Sequence, residues 1–434
     1  MSSLFIQTNS TSFLSVITSP SSEMSPSIAT KLEETEVQSN KTAFIFPQPS
    51  GQFPIGIQSY VLQDADRAIG ISIHYPSRHG TSFRHHPLEP YFEDLRKIQS
   101  NIETARYANC CSYAQPNVSP IGGAFPVILM AHGFGMCSDD YQPIVEELAS
   151  QGFCVVTVES PGIAGYSRVL ESQGKPAILT EEAMLTDNQA IQLQIKDIEC
   201  VLRTLQDFAK INPNLAAAMD LQKTGIMGHS LGGAAAAQIC RNNAKVMAGM
   251  NLDGRLLGEN ATGSIFQPFV TIQCDRPGTV LENLLPDVKA SLELLKQAKQ
   301  LGDSGETQKA NAIELEATTL LEAGVKGAEN FLDPIVEFDK FHEKAGIGSY
   351  QVVLNGSRHA GFSALHSLAH VVGLNAAAGP NHPQKTIYQN WEQQIPTDLS
   401  TWVATNRHIV SFFSEHLKGV PSHIVSGSKI EESI

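Results

Sequence analysis

The chain has 434 residues, of which 42% are hydrophobic and 17% are charged, and its formal net charge is −14. This composition excludes a disordered chain and supplies enough apolar material for one large enzyme domain or two ordinary ones. The sequence has no run of Lys and Arg, and no apolar stretch approaches the roughly 18 residues of a membrane-spanning helix, so we expect neither nucleic acid as a partner nor a bilayer span.

The cysteine content indicates whether the protein is in a reducing or an oxidising cellular compartment. The seven cysteines are an odd number, several lie within apolar runs, and none forms a CxxC pair. These features favour buried thiols in a reducing compartment over a disulfide framework. We therefore expect a cytoplasmic protein.

The first 45 residues are rich in Ser and Thr, and we predict a flexible tail there, followed by one domain over residues 46–434. The apolar island at residues 13–17 is too short for the core of a signal peptide, and no basic residue precedes it. We therefore expect no secretory signal in this tail.

The domain begins with alternating apolar and polar residues. The alternation is loose over residues 57–62 and more regular over residues 69–75, which predicts an antiparallel pair of strands. The polar stretch 78–123 follows, with one helical pattern near residues 91–107.

Continuous apolar runs then alternate with helical patterns. Runs without polar alternation are typical of parallel strands that helices cover on both faces. Strand–helix alternation of this kind predicts an α/β fold with a mostly parallel, doubly wound sheet. The predicted parallel strands are residues 126–131, 153–158, 224–227, 246–252, 269–274 and 350–354.

Residues 279–348 interrupt this alternation between two predicted core strands. The segment favours helix and carries apolar residues at helical spacing: Val288, Leu292, Leu295 and Ala298. That spacing predicts a helical insertion that packs against another surface. We interpret it as a cap over the active site.

The strongest chemical signal is Gly228-His-Ser-Leu-Gly232. A GxSxG pentad alone is weak evidence, but here a short apolar strand ends at Met227 and an Ala-rich helix starts at once. This strand–turn–helix context is what a nucleophile elbow requires, because the turn is sharp and leaves room only for glycine beside the serine. We predict Ser230 as the nucleophile.

A second motif, Ala131-His-Gly-Phe-Gly135, directly follows a predicted strand. Acyl transfer needs two backbone N–H donors aimed at the oxyanion, one from the residue after the nucleophile and one from such an earlier loop. We predict the N–H groups of Leu231 and Phe134 in this role. His132 is interpreted as a structural, hydrogen-bonding residue.

The general base should follow the last core strand, where an imidazole reaches the serine. His359 meets this condition, because it comes after the strand at residues 350–354 and a short turn. His366 and His370 are four residues apart on a predicted helix, but no HExxH pattern accompanies them, so we predict no metal site. No nucleotide or flavin motif is visible, and we expect no cofactor.

Two carboxylates compete for the role of the acid that orients the base. Asp253 follows the strand at residues 246–252, and Asp275 follows the next one. Both strand ends lie on the edge of the sheet that carries Ser230, and both give the chain order Ser, Asp, His. The residues alone leave the choice open.

The motifs as a set resemble the platelet-activating factor acetylhydrolase branch of the serine esterases, within the α/β-hydrolase superfamily. The matching stretches begin at Ile69, Pro126, Val158, Gly228, Asn251, Gln267 and Gly356. The resemblance implies an α/β-hydrolase fold and Asp253 as the acid. Related dienelactone-hydrolase-like and polyester-hydrolase-like esterases place the acid one strand later, which keeps Asp275 as the alternative.

These observations predict a serine hydrolase that cleaves carboxylic esters through an acyl-enzyme. The resemblance implies a phospholipid with a short or oxidised acyl chain as the substrate, with contact between the cap and a lipid interface. The alternatives are a generic lipase or polyester-type esterase, an acyltransferase or peptidase with the same triad, and a ligand-binding protein without turnover. The sequence does not predict an oligomeric state.

Overall fold

The computed structural model of the protein describes most of the domain and little of the predicted tail. The described residues are 5–7, 48–65, 67–78, 84–85, 111–179, 185–258, 263–363, 400–422 and 427–433. The helix predicted near residues 91–107 lies outside these ranges, as do His366 and His370. The predicted tail also lies outside them, apart from residues 5–7.

One large mixed sheet organises the domain. The strands in chain order are β1 (Phe5–Gln7), β2 (Ile55–Asp64), β3 (Arg67–Pro76), β4 (Arg84–His85), β5 (Cys111–Ser112), β6 (Ala114–Pro116), β7 (Phe125–Ala131), β8 (Cys154–Glu159), β9 (Met219–His229), β10 (Val246–Leu252), β11 (Phe269–Cys274), β12 (Tyr350–Asn355) and β13 (Lys429–Ser433). The large sheet has the order β1-β2-β3-β8-β7-β9-β10-β11-β12-β13, with β6 paired to β2, whereas β4 and β5 form a separate ladder.

The pairing directions divide the large sheet into two parts. The pairs β1–β2, β2–β3 and β3–β8 are antiparallel. From β8 to β13, every neighbouring pair is parallel. The α/β class is therefore confirmed, with the predicted antiparallel start and with β7 to β12 at the six predicted parallel strands.

Two edge strands lie outside the sequence prediction. β1, within the predicted tail, pairs with β2 and places Phe5 opposite Leu62. β13 pairs with β12 and alternates between exposed and partly exposed residues. β1 has only three residues, and four of the five residues of β13 are polar, so neither strand shows the continuous apolar run that marks a central strand. For the rest of residues 1–45 the flexible tail stays a prediction.

Helices cover both faces of the parallel strands. They are α1 (Gln142–Ser150), α2 (Arg168–Ser172), α3 (Asp187–Gln206), α4 (Pro213–Ala217), α5 (Leu231–Asn242), α6 (Arg276–Asp303), α7 (Thr307–His342) and α8 (Ser400–Lys418). α3 and α5 join the core of one face, through residues such as Val201 and Ile239. α1 and α8 join the core of the other face, through residues such as Leu148 and Phe412. Among the described residues, no helix has the length and hydropathy that crossing a bilayer would require.

The predicted helical insertion is a long hairpin of α6 and α7. The two helices pack through small buried residues spaced seven apart on each helix, Ser291 and Ala298 on α6 and Ala310 and Ala317 on α7. This spacing is typical of a coiled-coil seam. Of the four apolar positions predicted to pack, Ala298 is buried, whereas Leu292 and Leu295 are 52% and 41% exposed. For these two leucines the packing prediction is wrong, because the seam uses the smaller side chains.

The carboxyl-terminal end of α7 anchors this hairpin to the domain. Phe338 and Phe341 are buried in the core of the face that α3 and α5 cover. The ring of Phe341 packs edge-on against Phe269 of β11, with 5.5 Å between the centroids. His342 Nε2 lies 2.8 Å from Thr271 Oγ1 on the same strand. The last turns of α7 therefore belong to the domain core rather than to a separable cap.

The carboxyl ends of the parallel strands meet at one edge of the sheet. β7 ends there in the His-Gly-Phe-Gly loop, β9 ends at the serine, β10 ends at Asp253, and β12 leads to His359. In open α/β sheets this edge is where ligands bind. The sequence motifs are thus brought to one place by topology.

Candidate active site

Ser230 lies in a sharp turn between β9 and α5. Its backbone has φ 54° and ψ −120°, a strained conformation for a residue other than glycine. A Cβ added to Gly228 would lie 2.2 Å from the carbonyl oxygen of Gly232, and one added to Gly232 would lie 2.2 Å from that of Ala131. The two glycines are therefore required, and the turn has the geometry of a nucleophile elbow.

His359 connects the serine to a buried carboxylate. Its Nε2 lies 3.0 Å from Ser230 Oγ, and its Nδ1 lies 2.6 Å from Asp253 Oδ2. The Asp253 side chain is 0% exposed and that of His359 is 21% exposed. The structure thus brings together the predicted nucleophile, base and acid, with the acid shielded from water and the imidazole open to it on one side.

The turn after β10 is built to aim Asp253. This residue has a positive φ of 51°. The buried side chain of Asn251 clamps the turn, because its Oδ1 accepts from the N–H of Gly254 at 2.7 Å and its Nδ2 donates to the carbonyl of Gly254 at 2.9 Å. The second carboxylate oxygen of Asp253 accepts from the N–H of Cys274 at 3.1 Å. Backbone and side chain are therefore both fixed.

Asp275, the alternative acid, has a different contact. Its Oδ2 accepts from the backbone N–H of Gly356 at 3.1 Å, in the turn that leads from β12 to His359. Its own N–H donates to the carbonyl of Ser357. Asp275 thus supports the loop that leads to His359, while Asp253 contacts the His359 ring itself.

The predicted oxyanion loop lies directly against the elbow. A Cβ on Gly133 would come within 3.1 Å of the Ser230 Cβ. The loop is held by a bond from the Gly135 N–H to the carbonyl of Ile163 at 2.9 Å. Within the part of the chain that the structure describes, no hydrogen bond uses the N–H of Phe134 or of Leu231. These two groups are thus available to a bound oxyanion.

His132 is a structural residue of the same loop. It is fully buried, its Nε2 accepts from the N–H of Ser160 at 3.1 Å, and its Nδ1 donates to the carbonyl of Gly133 at 2.8 Å. Burial lowers the pKa of His132 from 6.5 to about 4. The ring therefore stays neutral at physiological pH and fixes where the loop leaves β7.

Three contributors to this geometry were not predicted from the sequence. Asn251 clamps the turn that holds Asp253, and the rings of His229 and Tyr141 lie beneath the site. The only sequence signal for His229 was its place inside the GxSxG motif. Tyr141 and the clamping role of Asn251 carried no signal, because both depend on contacts between distant segments.

No metal centre accompanies this arrangement among the described residues. Nowhere in the described ranges do three or more His, Cys, Asp or Glu side chains converge in a way that could hold a metal ion. His366 and His370, which the sequence analysis considered as ligands, lie outside those ranges.

Comparison with known proteins identifies the fold and a sequence similarity. A family model described as "alpha/beta hydrolase fold" matches residues 126–319. A second, described as "Platelet-activating factor acetylhydrolase, isoform II", matches residues 38–197. Among solved structures, a ferulic acid esterase from Streptomyces cinnamoneus matches with a TM-score of 0.59 and 19% identity, over 88% of this chain and 95% of the esterase.

Curated relatives show the same similarity to platelet-activating factor acetylhydrolases. The chain is 23% identical to the platelet-activating factor acetylhydrolase of Bos taurus, over 58% of this chain and 65% of the relative. The enzyme of Cavia porcellus is 26% identical, over 53% of this chain and 60% of its own length. The chain thus matches less than two thirds of the length of either relative. It is an α/β-hydrolase-fold protein that is similar to the platelet-activating factor acetylhydrolases.

Proposed function

We propose that the protein is a serine hydrolase that cleaves carboxylic esters. The observation that carries this proposal is the continuous contact from Asp253 through His359 to Ser230, with separations of 2.6 and 3.0 Å. A serine hydroxyl is a weak nucleophile until a base takes its proton, and this contact supplies that base. The similarity to acetylhydrolases supports an ester as the bond that is cleaved.

The proposed reaction has two half-reactions on the same residues. His359 takes the proton of Ser230 as the oxygen attacks the ester carbonyl, and Asp253 stabilises the imidazolium that forms. The N–H groups of Phe134 and Leu231 donate to the oxyanion. His359 then protonates the leaving alcohol, which departs and leaves an acyl-enzyme. Water, deprotonated by His359, attacks this acyl group and releases the acid with regeneration of Ser230.

The substrate class rests on the sequence similarity. The relatives are named platelet-activating factor acetylhydrolases. By this similarity we propose a phospholipid with a short or oxidised acyl chain, and a generic small or lipid ester as the alternative. No cofactor takes part in the proposed reaction.

We also propose that the α6–α7 hairpin shapes acyl-chain selection. α6 begins at Arg276, immediately after Asp275 at the edge of the site. The hairpin carries exposed apolar side chains on both helices, among them Leu292 and Leu295 on α6 and Leu321 and Val325 on α7. An exposed apolar surface on a hairpin that begins at the edge of the site is suited to an acyl chain or to the surface of a lipid aggregate.

A panel of esters with graded acyl length tests the proposed function. Wild type and Ser230→Ala are compared on phosphatidylcholines with short, oxidised and long sn-2 chains and on p-nitrophenyl esters. We expect turnover by wild type alone, with the highest kcat/KM on short or oxidised chains. Added alcohol acceptors and peptide substrates distinguish an acyltransferase or a peptidase. Binding of the esters without turnover would overturn the proposal in favour of a ligand-binding protein.

A further inference from the structure

A second buried histidine lies beneath the proposed base. His229, which directly precedes the nucleophile, is fully buried. Its ring packs against that of His359, with 4.7 Å between the centroids and an interplanar angle of 37°. Its Nε2 lies 3.0 Å from the backbone carbonyl oxygen of His359, and its Nδ1 lies 2.9 Å from the hydroxyl of Tyr141.

The partners fix where the proton of this ring lies. A carbonyl oxygen can only accept, so Nε2 of His229 carries the hydrogen and donates it to His359. Nδ1 is then an acceptor, and Tyr141 donates its hydroxyl hydrogen to it. The Met136 sulfur, 2.9 Å from the same hydroxyl, is a weaker acceptor than the ring nitrogen. The Tyr141 oxygen in turn accepts from the N–H of Gly133 at 3.0 Å.

The result is one hydrogen-bond chain with a single direction. It starts at the Gly133 N–H in the oxyanion loop, passes through the Tyr141 hydroxyl and the His229 ring, and ends at the backbone carbonyl of His359. It therefore joins the segments on the two sides of the reacting ester: the loop that donates to the oxyanion and the loop that holds the base.

The surroundings keep His229 in this neutral form. Burial is the largest cause that holds its pKa well below the ordinary value, and the neighbouring ring of His359 lowers that pKa further. His229 therefore does not compete for the proton that His359 takes from Ser230. The hydrogen-bond chain requires a neutral ring of this kind, with one donor nitrogen and one acceptor nitrogen.

We infer that His229 and Tyr141 are positioning residues. Through this hydrogen-bond chain they hold the proposed base, His359, and the oxyanion loop in fixed positions relative to each other. The inference rests on the proposed function, since it concerns the efficiency of that reaction. Neither side chain contacts the reacting atoms, so their effect is exerted through His359 and through the loop from Gly133. Displacement of such groups by about 1 Å can lower a rate on the order of 100-fold.

Three variants and one control test the inference. Tyr141→Phe removes a single oxygen atom and breaks the middle of the chain. His229→Phe keeps a flat ring and removes both bonds, whereas His229→Gln restores a donor for the carbonyl of His359. Tyr75→Phe is the matched control, because the buried Tyr75 hydroxyl also donates one bond, to the carbonyl of Val118 at 2.6 Å, on β3 away from the site.

The measurement is kcat for p-nitrophenyl acetate per active site, with sites counted by fluorophosphonate titration so that misfolded protein does not enter. We expect kcat to fall about 10-fold in Tyr141→Phe and about 100-fold in His229→Phe, with KM changed less than about twofold. His229→Gln should recover part of the loss. Tyr141→Phe and His229→Phe break the same hydrogen-bond chain. The fold-loss in kcat of the double variant should therefore be smaller than the product of the two single losses. Tyr75→Phe should keep the wild-type kcat, even if its melting temperature falls.

The result that overturns the inference is a titratable Tyr141→Phe protein with wild-type kcat, and this variant decides the matter if His229→Phe does not fold. A purely structural role would lower the melting temperature of Tyr141→Phe and Tyr75→Phe alike and leave kcat per site unchanged in both. A wild-type protein that neither labels nor hydrolyses esters would instead overturn the proposed function, and this inference with it.

Discussion

Asp253→Asn is the substitution whose outcome the structure specifies most closely. One carboxylate oxygen accepts from the Cys274 N–H at 3.1 Å, and the other lies 2.6 Å from Nδ1 of His359. An asparagine has one oxygen and one NH₂ group. The N–H of Cys274 can only donate, so the oxygen of the amide must face it and the NH₂ group must face His359.

This orientation reverses the proton pattern of the base. The NH₂ group donates to Nδ1 of His359, so the ring proton moves to Nε2. Nε2 then faces Ser230 as a donor and cannot take its proton. In serine hydrolases with this arrangement the same substitution lowers kcat about 10⁴-fold, equal to ~5 kcal/mol of transition-state stabilisation. We expect a loss of that order here, with a folded protein, since the two side chains have the same shape.

Asp275→Asn is the matched control. Asp275 accepts from the Gly356 N–H, and an asparagine oxygen can do the same, so we expect a loss of less than about tenfold. The assay is steady-state hydrolysis of p-nitrophenyl acetate by both variants, with thermal unfolding to verify the fold. If Asp275→Asn lost more activity than Asp253→Asn, the assignment of the acid would be refuted, and the protein would resemble the esterases that carry the acid one strand later.

Further predictions concern stability and the hairpin. Gly232→Ala should destabilise the fold by about 2–4 kcal/mol, because its Cβ would lie 2.2 Å from the Ala131 carbonyl oxygen. Gly122→Ala is the control and should not destabilise the fold, because the space around Gly122 is open. Equal melting temperatures of the two variants would contradict this prediction. His132 has a pKa of about 4 in the folded protein against 6.5 unfolded, so the unfolded chain binds the extra proton and the free energy of unfolding should decrease as the pH falls from 6.5 to 4. Denaturant titrations should show that the free energy of unfolding of His132→Gln decreases less steeply with falling pH than that of wild type. An equal pH dependence in both proteins would contradict the lowered pKa of His132. The outer part of the hairpin, about residues 289–321, contains the hydrogen bond from Ser291 to the Ala317 carbonyl. Replacing it by a Gly/Ser linker should change the preferred acyl length and leave fluorophosphonate labelling intact. An unchanged preference would assign the hairpin another role.

The fold and the turn that carries Ser230 were predictable because their signals are local. The elbow needs a strand, two glycines around a serine and a helix, and all of these are adjacent in the chain. The parallel strands carry continuous apolar runs because helices cover both faces. Neither inference required knowledge of which distant segments meet.

The remaining features depend on contacts between segments that are distant in sequence. Asp253 and Asp275 both follow parallel strands, and what separates them is the turn that Asn251 clamps and the N–H that Cys274 provides. The exposure of Leu292 depends on the hairpin seam, where smaller side chains on two helices pack together. A pattern within one segment cannot distinguish these outcomes, since each is decided by a partner far away in sequence.

The most direct test of the account is the site of covalent labelling. The protein is treated with a fluorophosphonate, digested, and mapped by mass spectrometry, with Ser230→Ala and His359→Ala in parallel. We predict one adduct, on Ser230, that is absent from Ser230→Ala and forms far more slowly in His359→Ala, with kcat for ester hydrolysis reduced on the order of 10⁴–10⁶-fold in both variants. An unlabelled Ser230 in folded wild-type protein, or a Ser230→Ala variant that keeps a tenth of the wild-type turnover, would contradict it.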